Sequence, residues 1–141
     1  MSKGVYALFL KVNRNIKINV GSLGTVHFRK GYYVYVGSAQ NNLEKRVIRH
    51  CKKAKRIFWH ADYLLSNKFA NVAEVFFKSG PKAEECRIAE RVQSIGVPVV
   101  GFGSSDCRCT SHLCKMRNRV SARRLLSDMT RYSLKGDLSD G

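Results

Sequence analysis

The stretch Gly31-Tyr32-Tyr33-Val34-Tyr35-Val36-Gly37-Ser38-Ala39 decides how this chain is read. Aromatic and β-branched residues fill it, the composition that best fits a pleated, half-buried surface. Arg29-Lys30-Gly31 turns into it and Gly37-Ser38 ends it. Upstream, Gly4 to Val12 is apolar on both alternating sets: Val5, Ala7, Phe9 on one and Tyr6, Leu8, Leu10 on the other. That pattern predicts a strand buried on both faces. Between these runs, Asn13-Arg14-Asn15 and Gly21-Ser22-Leu23-Gly24 are turn signals. Ile16 to Val20 and Thr25 to Phe28 then pair as a hairpin. Downstream, the sequence predicts a helix starting near Asn41, with Glu44 three positions on as a capping box. Leu43, Val47, Cys51 and Ala54 recur as its apolar face, and Arg46, His50 and Lys53 form a flanking row.

Beyond it, Phe58 to Leu65 reads as a short helix and Val72 to Phe77 as a strand. Gly80-Pro81 opens a third helix to Ile95, striped by Cys86, Ala89, Val92 and Ile95 and closed by Gly96. Val97 to Phe102 reads as a last short strand or loop. The expected fold class is therefore mixed α/β (α+β): a small, mostly antiparallel sheet flanked by helices, with an inserted β-hairpin. The expected division is a domain over residues 1–113 and a basic C-terminal extension over 114–141, partly helical or disordered.

The chain has 141 residues, with 26 Lys+Arg against 10 Asp+Glu, a formal charge of +16. Length fits one domain, and 44% hydrophobic residues with two prolines exclude a disordered chain. No window approaches the roughly 18–20 apolar residues of a membrane span. Ala7-Leu8-Phe9-Leu10 is too short for a signal-peptide core. The expectation is a cytoplasmic protein with no membrane partner. An excess of this size points to a polyanion, because each phosphate contact releases counterions. Residues 44–56 carry seven Lys/Arg and one Glu; residues 115–141 carry seven Lys/Arg and three Asp.

Five cysteines, an odd number, argue against a disulfide framework. Cys107, Cys109, His112 and Cys114 are a candidate zinc cluster, but one residue between the first two thiols is not a usual knuckle. Zinc at Cys107, Cys109 and His112 is therefore disfavoured. Cys86 completes such a site only if the fold brings it close. The bland reading makes Cys86 and Cys107 small buried hydrophobes.

An ordered set of motifs carries the chemistry: Gly4-Val5-Tyr6, Tyr35-Val36-Gly37, Arg46 on the next helix and Glu85 on a later one. This set resembles the GIY-YIG nuclease superfamily. Over about residues 4–113 the pattern is closer to its mostly prokaryotic DUF123 branch. The matching stretches are Gly21 to Gly24, Gly31 to Ala39, Trp59 to Leu65, Glu85-Cys86, and Gly103-Ser104-Ser105-Asp106-Cys107-Arg108-Cys109-Thr110-Ser111-His112-Leu113.

The resemblance implies a divalent-metal-dependent endonuclease hydrolysing phosphodiester bonds in DNA. The implied catalytic set is Tyr6, Tyr35, Arg46, His60 and Glu85, with His50 as second choice for the histidine. Glu85 is the implied ligand of Mg²⁺ or Mn²⁺, and Ser105 or Asp106 would lie near the metal. Arg46 offers an always-charged donor pair for phosphate oxygens. The tyrosines would orient or deprotonate the attacking water, though a phenol with pKa near ~10 is a poor base at pH 7. Lys45, Arg49, His50, Lys52, Lys53, Lys55 and Arg56 are the expected nucleic-acid-binding residues. Such domains also occur fused to base-excision glycosylases, which implies a DNA-repair partner. The hairpin between Tyr6 and Tyr35 departs from short superfamily members and leaves the cutting preference open. The alternatives are an inactive DNA- or RNA-binding module of the same fold, an RNA-directed protein stacking bases on tyrosines, and a zinc-stabilised interaction module.

Overall fold

The computed structural model describes residues 3–104 and 107–132. Strands β1 (Gly4–Val12), β2 (Ile16–Asn19), β3 (Thr25–Phe28) and β4 (Gly31–Ala39) precede helices α1 (Leu43–Cys51) and α2 (His60–Leu65). Then follow β5 (Ala70–Lys78), α3 (Ala83–Gln93), β6 (Val97–Pro98), β7 (Leu113–Met116), α4 (Arg119–Leu125) and β8 (Thr130–Tyr132). Six strands form one sheet in the order β6-β7-β4-β1-β5-β8, and β2-β3 form a separate hairpin. Every neighbouring pair is antiparallel. The mixed α/β class with a mostly antiparallel sheet and an inserted hairpin is the architecture observed.

β1 runs through the middle, and its two-sided apolar pattern explains why. Tyr6, Leu8, Leu10 and Val12 face a core with Tyr33, Tyr35, Leu43, Val47, Leu64 and Leu65. Val5, Ala7 and Phe9 face a second core with Val34, Val36, Ile88, Val92 and Leu126. The sheet is thus a layer between α1, α2 and the hairpin on one side and α3 and α4 on the other. Each fully buried Val or Leu contributes about 1.5–3 kcal/mol, so both faces hold the sheet.

Local chemistry shifts several element ends from their expected places. The cap of α1 is Asn42, in the left-handed region at φ 34°, its side chain accepting from the Lys45 N–H. The sequence offers two adjacent asparagines, and the one that closes the β4 turn in a left-handed conformation becomes the cap. Ala54 falls beyond the helix, and Ile95 is exposed. At α2, the Asp62 carboxylate accepts from the backbone N–H groups of Phe58 and Trp59. The helix therefore starts at His60 rather than Phe58.

The expected boundary at residue 113 does not hold. It falls inside β7, which pairs with β4 on one edge and β6 on the other. β8 pairs with β5, and Ala122 and Leu126 are buried against the second core. Glu74 of β5 explains much of this order. It is 3% exposed and meets the guanidinium groups of Arg119, Arg123 and Arg131 at 3.6, 2.7 and 3.4 Å. Three charges that read as a basic tail thus converge on one buried carboxylate. Among the described residues, no helix is long and apolar enough to cross a membrane.

Candidate active site

A cleft of about 320 Å³ opens at the end of β1 and β4. Tyr6, Tyr35, Arg46, His60 and Glu85 all line it, joined by Gly37, Ser38, Phe58, Trp59, Lys82 and Gly103. All five implied catalytic residues therefore meet, although they span β1 to α3.

Antiparallel register sets the two tyrosines. Tyr6 lies opposite Gly37. A Cβ at residue 37 would sit 2.5 Å from the Tyr6 hydroxyl, so only glycine lets this phenol lie over β4. Its hydroxyl is 2.7 Å from His50 Nε2. Burial pushes the Tyr6 phenol well above its usual range, against the opposing pull of the Arg46 charge. Burial likewise raises Tyr35, reinforced by Tyr6 and Glu85. Both phenols are protonated at neutral pH. A protonated phenol can orient a water by hydrogen bonding and is a poor base.

Arg46 is held from two sides. One of its N–H groups donates to the Ser38 carbonyl at 2.8 Å, and its guanidinium stacks 4.5 Å from the Trp59 ring centre. Ser38 in turn donates its hydroxyl to Glu85 Oε1 at 2.7 Å. Glu85 Oε2 is 3.0 Å from His112 Nδ1. Glu85 is the single carboxylate among the described residues lining the cleft, and its side chain keeps 14% exposure. For His112, burial lowers the imidazole pKa, but Glu85 and Cys107 outweigh it and the net shift is upward.

His60 is the histidine at the cleft; His50 is not. The Gly103 N–H donates to His60 Nδ1 at 2.8 Å. Neutral His60 therefore carries its proton on Nε2 and presents a donor. His50 is 1% exposed among Tyr6, Tyr35 and Trp59. Burial, aided by Lys55, pushes its pKa down to about 3, so it stays neutral.

The proposed nucleic-acid contacts divide in the same way. Lys45, Lys52 and Arg56 are exposed. Arg49 makes a bidentate pair with fully buried Asp62 at 2.8 and 3.0 Å and also stacks on Trp59 at 4.5 Å. Lys53 donates to the carbonyls of Leu65, Asn67 and Ala70, closing the end of α2. Lys55 donates to the carbonyls of Arg49 and His50 at the end of α1. Arg49, His50, Lys53 and Lys55 thus each make a contact within the protein, to a carboxylate, a phenol or backbone carbonyls.

Ser38, Trp59, Asp62 and His112 lie in the matched motif stretches but carry no role there; their contacts with Arg46, Arg49 and Glu85 are long-range and follow no local period. Lys82, which also lines the cleft, carries no signal in the sequence. Ser105 and Asp106 lie outside the described residues. The bland reading of Cys86 and Cys107 as buried hydrophobes does not hold either. Both are only partly buried, and α3 brings Cys86 to within 3.9 Å of His112 Nε2.

No curated protein and no solved structure matches the chain. A family model described as "Domain of unknown function DUF123" matches residues 5–134, a span that runs through β7, α4 and β8. The chain belongs to the DUF123 family.

Proposed function

We propose that the chain is a divalent-metal-dependent endonuclease of the GIY-YIG type, hydrolysing phosphodiester bonds in DNA, with a repair-related, structure-specific substrate. The observation that carries the reading is the convergence of Tyr6, Tyr35, Arg46, His60 and Glu85 on one cleft. A single carboxylate whose oxygens each keep a lone pair suits a hard cation that retains most of its waters. Glu85 would hold Mg²⁺ or Mn²⁺, and the cation would offset charge building on the phosphoryl oxygens.

The protein's own groups do the rest. Arg46, anchored by Ser38 and Trp59, turns its remaining donors to a non-bridging phosphate oxygen. The protonated hydroxyls of Tyr6 and Tyr35 orient the attacking water. His60 offers Nε2–H to a phosphate or leaving oxygen. Lys45, Lys52 and Arg56 supply sequence-independent backbone contacts.

The test is a panel of duplex, flap, fork and single-stranded DNAs, with matched RNAs, incubated with Mg²⁺ or Mn²⁺. Wild type is expected to cut at least one DNA, with Arg46→Ala and Glu85→Ala binding but not cutting. Salt-sensitive binding to the whole panel without cleavage would favour the inactive binding module and defeat the nuclease reading. A preference for RNA would overturn the DNA assignment.

A further inference from the structure

Away from the cleft wall, α3 and the loop before β7 bring four soft ligand groups together. The ligand atoms of Cys86, Cys107, Cys109 and His112 all lie within 4.8 Å of one another. His112 Nε2 is 3.3 Å from the Cys107 sulfur and 3.9 Å from the Cys86 sulfur. A tetrahedral ion with Zn–S about 2.3 Å and Zn–N about 2.0 Å needs ligand–ligand edges of about 3.5–3.8 Å, between those two values. We propose that Cys86, Cys107, Cys109 and His112 hold a structural zinc ion.

The donor set selects the metal. Three thiolates and one imidazole are poor ligands for Mg²⁺ or Ca²⁺ and good ones for zinc. Four protein ligands leave no open position, which marks a structural rather than a hydrolytic site. All five cysteines are free of disulfides, so the three thiols are available. Cys114 is not a member: it points into the second core. The fourth ligand therefore comes from α3, 21 residues before Cys107 in the chain. Sequence spacing alone misses it. The ion would tie the loop after Phe102 to α3, where the described segments hold little other regular structure.

The same imidazole reaches the cleft. Cys86 follows Glu85 on α3, and His112 shows Nε2 to the thiols and Nδ1 to Glu85 Oε2, 3.0 Å away. Zinc on Nε2 places the ring proton on Nδ1, which faces the Glu85 carboxylate at 3.0 Å. With Ser38 on the other oxygen, both edges of Glu85 are then oriented. Glu85 is a positioning partner of the zinc ligand as well as a wall of the cleft. The zinc assignment does not depend on the nuclease reading, because its readouts are metal content and spectra.

The experiment uses the full chain purified under reducing conditions with zinc present. About one zinc per chain is expected after dialysis, by elemental analysis. Replacement by Co²⁺ is expected to give intense visible bands of a tetrahedral thiolate site. Cys109→Ser and His112→Ala should lose both signals, whereas Cys114→Ser and Cys51→Ser keep them. If the ligand variants fail to fold, mercurial titration of wild type decides: zinc release should track modification of three thiols. Glu85→Gln should weaken zinc about tenfold in chelator competition. Wild type with little bound zinc, a disulfide among Cys86, Cys107 and Cys109, or full cobalt bands in Cys109→Ser would overturn the site. Unchanged affinity in Glu85→Gln would overturn the link to the cleft.

Discussion

Gly37→Ala is the smallest change that reaches the centre of the proposed site. The new methyl would lie 2.5 Å from the Tyr6 hydroxyl oxygen, 2.6 Å from Cζ and 2.9 Å from Cε2. Restoring an ordinary contact of 3.4 Å requires a displacement of about 0.9 Å at the hydroxyl. Neither side yields freely. Tyr6 is 1% exposed in the core of the sheet, and Gly37 is paired across β1. Overpacking of this kind costs about 1–3 kcal/mol. A 0.9 Å shift away from His50 would also stretch the 2.7 Å contact past hydrogen-bonding range, adding about 1–3 kcal/mol for a buried polar group left alone. The expected loss is about 2–6 kcal/mol, read by urea denaturation, with the thermal midpoint falling by roughly 3 °C per kcal/mol. Turnover on the preferred substrate should fall about 10²-fold beyond any loss of folded protein, since a 1 Å misplacement can cost that much. Tyr6→Leu should relieve most of the strain, so the double variant should be less destabilised than the two single costs together. A Gly37→Ala protein within 0.5 kcal/mol of wild type and fully active would refute the packing of Tyr6 over β4 and its role.

Other perturbations separate scaffold from chemistry. His50 stays neutral in the fold with its pKa lowered to about 3, whereas the unfolded chain protonates it near 6.5. Its contribution is therefore present above pH 6.5 and is lost as pH falls from there toward 3, at up to about 1.4 kcal/mol per unit. The comparison is wild type against His50→Asn, which should flatten the acid-side slope; identical slopes would contradict a buried neutral His50. His112, proposed above as a zinc ligand, is left out of this comparison by measuring both proteins with the metal bound. Asp62→Ala removes a fully buried carboxylate that pairs with Arg49 and accepts two backbone N–H groups, and should cost about 3–5 kcal/mol by denaturant titration. A chain ending at residue 113 loses β7 and α4, and its amide spectrum should be that of an unfolded or aggregated protein; a dispersed, native-like spectrum would restore the shorter domain.

The sequence carried the fold through local periodicity, and it failed where contacts were long-range. β1 and β4 were legible because alternation states burial directly, and α1 because its apolar face repeats. Glu74 reads as an unremarkable strand glutamate until Arg119, Arg123 and Arg131, about 50 residues on, fold against it. That is why the charged segment after residue 113 read as an appendage. Tyr6, Tyr35, Arg46, His60 and Glu85 were legible through the ordered motifs, not through composition. The fate of Arg49, Lys53 and Lys55 was not legible, because a cation that caps carbonyls looks in sequence like one that grips phosphate. Cys86 illustrates the same limit: its partners lie on another element, and no spacing rule reaches them.

The most direct measurement is single-turnover cleavage of a DNA substrate with Mg²⁺ by wild type and Glu85→Ala at matched, saturating binding. The expected result is cleavage by wild type and a loss of at least about 10²-fold in Glu85→Ala with binding preserved. Equal cleavage by the two proteins, or no cleavage by wild type on any substrate it binds, would contradict the account.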